Sequence, residues 1–309
     1  MLRRIALFGP GRVGESAAHL IARRDLCREL VLIGIDDAQT RGIALDIQES
    51  APAIGFDTRV TGGADPALCE GAELIILTAG IPRAPGMSRE DVLRTNQVII
   101  DSLCDAVRRH APDALVLVVS NPVDLLTHRV RIRTGLPRSR VIGQAGLLDA
   151  SRMASFIAQT TGLSVQDVRA MVIGGHGDTM LPLPRFSSVS GVPVTSLLDQ
   201  GQLDEIMRRT REGGGEILAL RGNASAYDAP AAAIASMVDA IAHDRRRLLP
   251  GVAVLDGEYG EYDVALGVPL VLGREGIERI VELPLDTDEA HAFRAACQHA
   301  RQARAPESP

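Results

Sequence analysis

The chain has 309 residues, 46% of them apolar, a formal net charge of -6 and no lysine, so that all 33 basic side chains are arginine. Length and apolar content allow two domains with sizeable cores, and interleaved charges of both signs leave no basic face for nucleic acid. The missing lysine excludes Schiff-base, P-loop and Tyr-Lys chemistry, and apolar runs such as 114–119 fall far short of the roughly 20 residues needed to span a bilayer.

Met1-Leu2-Arg3-Arg4 could open a secretion signal, but the apolar stretch after it stops at Gly9-Pro10-Gly11, so a first strand over 4–8 is expected instead. Further strands are predicted over 30–35, 57–61, 74–78 and 114–119, with amphipathic helices over 13–23, 39–49 and 92–110 between them. That alternation predicts an α/β chain whose N-terminal half is a doubly wound parallel sheet of the Rossmann type. After Val141-Ile142-Gly143 the character changes. Helices are expected near 150–160, 203–220, 231–243 and 288–304, with a strand over 168–173 and irregular strands at 252–255 and 268–272. The predicted division is a dinucleotide-binding domain over 1–143 and an α+β substrate domain over 144–309. Cys27, Cys69, Cys104 and Cys297 are scattered, with no CxxC pair and no histidine at ligand spacing. This predicts no metal site and reduced thiols in a cytoplasmic protein.

Gly9-Pro10-Gly11-Arg12-Val13-Gly14 matches GxGxxG between a strand and a helix, where glycines let a pyrophosphate approach the helix N-terminus. Asp36, at the end of the second strand, is suited to accept hydrogen bonds from a ribose diol and, with Asp37, to repel a 2'-phosphate. NAD is therefore the expected cofactor. Val119-Ser120-Asn121-Pro122 leaves the fifth strand at the carboxyl edge of the sheet, where a nicotinamide ring would lie.

In Gly175-His176-Gly177-Asp178 the flanking glycines leave an imidazole unshielded just after an apolar strand. A histidine base needs a carboxylate to fix its tautomer and hold its charged form. Asp178 is near in sequence but as apt to bond local backbone; Asp149, three residues before Arg152 on a helix, is the better candidate. The alternative for Asp149 and Arg152 is an N-cap and a local ion pair. With Arg83 and Arg89 upstream, the chain carries a base, a carboxylate and fixed cations, the equipment for hydride transfer to and from a small anionic 2-hydroxy acid.

These motifs, with Thr78-Ala79-Gly80-Ile81-Pro82-Arg83 and Pro85-Gly86-Met87-Ser88-Arg89, occur in the order seen in the lactate and malate dehydrogenase family, which the chain resembles from residue 2 to about 302. The resemblance implies that His176 is the proton acceptor, Asp149 its partner and Arg152 the bidentate clamp on the substrate's C1 carboxylate. It assigns Arg89 to polarising the reacting carbonyl, Asn121 to binding its oxygen, and Asn96 and Val119 to NAD contacts alongside Gly9, Gly11, Arg12, Val13, Gly14 and Asp36. It places Arg83 on a lid over 81–90, against the C3 substituent, which favours a dicarboxylate such as malate over lactate; a lactate dehydrogenase is the nearest alternative. A homodimer or homotetramer is implied as well. Departures from the family's pattern are Pro10 in the glycine loop, Ala84, and Asn223-Ala224-Ser225-Ala226, which puts a substrate-wall role for Ser225 and Ala226 in doubt. An NAD-dependent glycosidase would need a metal-binding Cys and His arrangement, and a short-chain reductase a Tyr-xxx-Lys pair.

Overall fold

In the computed structural model, residues 1–81, 89–222 and 225–304 are described, together with the backbone but not the side chain of Arg89. The expected lid arginine, Arg83, lies outside the described residues, and so does the side chain of Arg89. Six parallel strands form the first part of the sheet: β1 (Leu2–Phe8), β2 (Cys27–Ile33), β3 (Arg59–Gly63), β4 (Leu74–Leu77), β5 (Leu115–Val118) and β6 (Val141–Gly143). Their spatial order is β3-β2-β1-β4-β5-β6, the doubly wound order whose carboxyl edge holds ligands. Helices α1 (Arg12–Arg23), α2 (Asp37–Glu49), α3 (Ala51–Ile54), α4 (Arg89–His110) and α5 (Val123–Thr134) connect them.

Alternation along β1 serves both faces of the sheet. Ile5 and Leu7 pack into one core with Ile21 of α1, whereas Ala6 and Phe8 join Ile100 and Cys104 of α4 in another. All four cysteines are buried and free, and burial pushes the thiols of Cys27, Cys104 and Cys297 up to about 12. They are inert at neutral pH.

The second half comprises α6 (Gly146–Thr161), β7 (Val168–Arg169), β8 (Val172–Gly174), β9 (Met180–Pro182), β10 (Ser188–Val189), β11 (Val192–Pro193), α7 (Gln200–Arg221), α8 (Asp228–Ala242), β12 (Arg247–Asp256), β13 (Tyr262–Gly273), β14 (Gly276–Ile280) and α9 (Thr287–Gln302). The sheet does not stop at residue 143. Gly143 of β6 pairs with Val252 of β12, and the order continues through β13, β8 and β9, with β14 on β13. Helix α8, whose Ala231, Ile234, Ala235, Val238 and Ala242 are wholly buried, shares the core of β1 and α1.

Two sequence expectations change, and one helix is not foreseen by the sequence pattern. The strand over 168–173 is two: β7 pairs with β10 in a small separate sheet, and β8 pairs with β13 and β9. The chain changes sheets at Ala170-Met171, which the apolar run 170–173 does not reveal. The irregular strands near 252–255 and 268–272 form one long antiparallel hairpin, disguised by Pro250 and Pro269, which stand opposite each other. Helix α5 is rich in β-branched and arginine residues, so its apolar rhythm is weak, yet Val123, Leu126, Thr127 and Val130 bury one face at helical spacing. Among the described residues no helix is long and apolar enough to cross a membrane.

Candidate active site

The loop after β1 is shaped by glycine. Gly9 has φ +90°, and a Cβ there would lie 2.4 Å from Ala79 Cα; at Gly14 it would lie 2.3 Å from the Gly9 carbonyl oxygen. Only hydrogen fits at either position. Pro10 is accommodated by a three-residue turn in which the Gly11 N–H donates to the Gly9 carbonyl at 2.8 Å. Gly11 is the N-cap of α1, offers no side-chain cap, and has open space where a Cβ would be. The first amides of α1 therefore face outward unscreened, which fits a dinucleotide pyrophosphate. Arg12 and Val13 begin this helix.

Asp36 follows β2 and caps α2, its Oδ1 accepting from the Gln39 N–H at 2.8 Å. Capping and ribose binding are compatible here, since the side chain is exposed and the cap bond engages Oδ1. Ile35 beside it is fully exposed. An apolar side chain left in water at this edge offers a stacking surface for a purine, a feature that sequence reading passes over because one exposed isoleucine carries no pattern.

At the exits of β4 and β5 the loops are tied together. The Thr78 hydroxyl donates to the Phe8 and Gly9 carbonyls, and the Ser120 hydroxyl to those of Leu77 and Ala79. Val119 is half-buried and donates its N–H to Leu77 at 2.9 Å. Asn96 lies between the exits of β4 and β5. Its amide is buried at 1% exposure, accepts from the Ile81 N–H at 2.8 Å, and donates to the carbonyls of Ile81 at 3.2 Å and Asn121 at 2.7 Å. Both amide hydrogens are thus spent on backbone, so Asn96 holds the start of the 81–90 segment against Asn121. The Asn121 side chain remains exposed, with only a 3.3 Å contact from the Val123 N–H to its oxygen.

The candidate reacting centre draws on the segments that follow β5, β6 and β8. Asp149, on the first turn of α6 and 2% exposed, accepts from His176 Nδ1 through one oxygen and from Arg152 Nη1 through the other, each at 2.8 Å. Asp149 therefore bridges the histidine and the arginine. The Arg152 Nε is buried against α7 with no hydrogen-bond partner among the described residues. For His176, burial alone would lower the imidazole pKa, but Asp149 at its ring and Asp124 nearby outweigh this and raise it. Asp124, absent from the sequence-based candidates, accepts the His176 backbone N–H at 2.9 Å. Only its place in the run Asn121-Pro122-Val123-Asp124 signals it. Among the described residues no cluster of three metal-ligating side chains is present.

A nucleotide-ready helix end beside a carboxylate-held histidine and an arginine defines an NAD-dependent 2-hydroxy acid dehydrogenase. The chain belongs to the lactate/malate dehydrogenase family, whose NAD-binding domain matches residues 3–143 and whose α/β C-terminal domain matches residues 147–303. Among its relatives, a malate dehydrogenase from Thioalkalivibrio sulfidiphilus is 60% identical over 292 residues, covering 94% of this chain and 95% of that one. The malate dehydrogenase of Picrophilus torridus superposes with a TM-score of 0.95 at 37% identity, over 98% of this chain and 96% of the other. A lactate dehydrogenase from Cryptosporidium parvum, solved with lactic acid and NAD, superposes with a TM-score of 0.94 at 36% identity, over 98% and 97%.

Proposed function

We propose that this chain interconverts malate and oxaloacetate with NAD, using His176 as acid and base. The observation that carries the reading is the Asp149 carboxylate shared by His176 and Arg152. NAD, when bound along α1 with its ribose at Asp36, supplies the hydride acceptor. Nδ1–H of His176 donates to Asp149, so Nε2 is left unprotonated to take the C2 hydroxyl proton of malate. The imidazolium that results is held by Asp149 and faces Asp124. Arg152 receives the C1 carboxylate through the donors that Asp149 does not use. Asn121 binds the reacting oxygen and Arg89 polarises it; Asn96 keeps Asn121 and Ile81 in register for this. Fixed donors of this kind each contribute about 3 to 4 kcal/mol to transition-state stabilisation.

The substrate preference rests on Arg83, by its position in the sequence. Malate offers a second carboxylate where lactate offers a methyl group, and an uncompensated arginine in a water-poor site favours the former. The division at residues 143/144, a homodimeric or homotetrameric state and a cytoplasmic location belong to the same reading. The test is NADH oxidation with oxaloacetate, pyruvate and 2-oxoglutarate, in the unmodified chain and in Arg83→Gln. Oxaloacetate should be the preferred substrate, and Arg83→Gln should lower its kcat/KM by about 10²-fold or more while raising that of pyruvate. A preference of the unmodified chain for pyruvate would replace malate by lactate as the substrate.

A further inference from the structure

The His176 loop joins β8 to β9, whose Gly174 and Met180 pair across its base. Gly174 has φ +85° and Gly177 φ +138°, and the loop's bonds include those from the Gly175 N–H to Thr179 at 3.2 Å and from the Met180 N–H to Gly177 at 3.0 Å. Glycine flanks leave the imidazole accessible and give the backbone beside it little conformational preference of its own. From across the domain division, Asp124 on the first turn of α5 reaches over and accepts the His176 N–H at 2.9 Å through Oδ2, while its Oδ1 is buried without a hydrogen-bond partner. A Cβ on Gly175 would lie 2.2 Å from Thr179 Oγ1, so glycine there serves the closure of the loop, with Asp124 Oδ2 in ordinary contact beside it.

We propose that Asp124 is a positioning residue of the reaction, fixing the backbone of the base while Asp149 fixes its ring, and adding a second negative charge that favours the protonated imidazole. Two helices thus grip one residue, α5 by its main chain and α6 by its side chain. Asp124 also stands three residues after Asn121, so a single turn ties the base to the amide that faces the reacting oxygen. The groups facing His176 are Asp124 from α5 and Asp149 and Arg152 from α6; those facing Asp124 are His176, Asp149 and the neutral thiol of Cys297 on α9. Desolvation pushes the Asp124 carboxyl up to about 6, with the His176 N–H working against it. Above that pH it is charged, in the range where it acts on His176.

The inference rests on His176 being the base. Malate oxidation requires neutral imidazole, so its rate rises with pH through the His176 titration. Asp124→Asn keeps an acceptor for the N–H and loses the charge; its kcat at alkaline pH should stay within about threefold, and the acidic limb should move to lower pH by about half a unit or more. Asp124→Ala loses both, so the limb should move likewise and kcat should also fall about tenfold or more, with NADH affinity and malate KM changed less than about threefold. Rates are normalised to NADH-binding sites counted by fluorescence titration of the full chain, which removes any loss of folded protein. An acidic limb unmoved in both variants, or an Asp124→Ala deficit that disappears on normalisation, overturns the proposal. The unmodified chain and His176→Asn are run alongside: absence of malate oxidation in the first, or an unchanged pH profile in the second, overturns instead the assignment of the base.

Discussion

Gly213 of α7 lies against the stem of Arg152, so that a Cβ at Gly213 would stand 3.2 Å from Arg152 Cδ and 3.7 Å from Nε. It opens a run of three glycines inside a helix, Gly213-Gly214-Gly215, each costing about 1 kcal/mol of helix propensity against alanine. Gly215 has nothing within 4 Å of its Cβ position. Gly215→Ala should therefore raise the melting temperature by about 2 °C and leave kinetics alone. Gly213→Ala gains the same propensity but pushes the guanidinium, so the KM for oxaloacetate should rise about fivefold or more while NADH affinity holds. Melting curves and steady-state kinetics of the two variants provide the check, and equal KM values would disconnect the glycine from the clamp.

His176→Asn should leave NADH binding nearly intact and lower turnover by at least about 10²-fold. Because the imidazole pKa is raised, chiefly by Asp149 against desolvation, the two directions of the reaction respond to pH oppositely. Oxaloacetate reduction needs the protonated ring and should fall as pH rises through that raised pKa; malate oxidation should rise there. Initial rates in both directions across pH 6 to 10, with and without the substitution, test the sign.

Asp124 carries a thermodynamic prediction separate from its effect on rates. Its carboxyl titrates near 3.8 when unfolded and at about 6 when folded, so the folded state binds the proton more tightly. Stability contributed by that group is present at low pH and is lost as pH rises from about 4 to about 6. Asp124→Asn escapes this loss. Its melting temperature relative to the unmodified chain should increase over that interval and level off above it, as followed by scanning calorimetry; a difference independent of pH would show that the carboxyl is not desolvated in the folded chain.

Asp36→Ala removes the α2 cap along with the ribose acceptor. It should cost about 1 kcal/mol in stability and weaken NAD binding, whereas Asp36→Arg should narrow the preference for NAD over NADP. Titrations of both nucleotides against the variants separate the two effects.

Most of the site is legible in the sequence because its chemistry is local. The glycine loop, Asp36 and the His176 loop announce themselves through residues a few positions apart, and the Asp149 to Arg152 spacing puts both on one helical face. What the sequence hides is tertiary. Asp124 meets His176 across 52 positions, Asn96 meets Ile81 across 15, and neither pairing leaves a period or a spacing to read. Asn96 in particular spends its buried amide on the carbonyls of Ile81 and Asn121, bonds that its residue type alone does not announce. The long hairpin of β12 and β13 is masked by Pro250 and Pro269, which read as strand breakers because proline cannot donate to a ladder.

The pairing of Gly143 with Val252 makes the sheet continuous through both halves of the chain. A fragment ending at residue 143 would keep its nucleotide loop, but β6 would become a raw edge, with unpaired peptide groups along apolar Val141 and Ile142 ready to template association with other chains. It would also lack α8, whose buried residues share the core of α1 and β1. The nucleotide-binding half is thus not a cassette that can be excised or grafted alone: its solubility depends on strands that the chain does not reach until more than a hundred residues later.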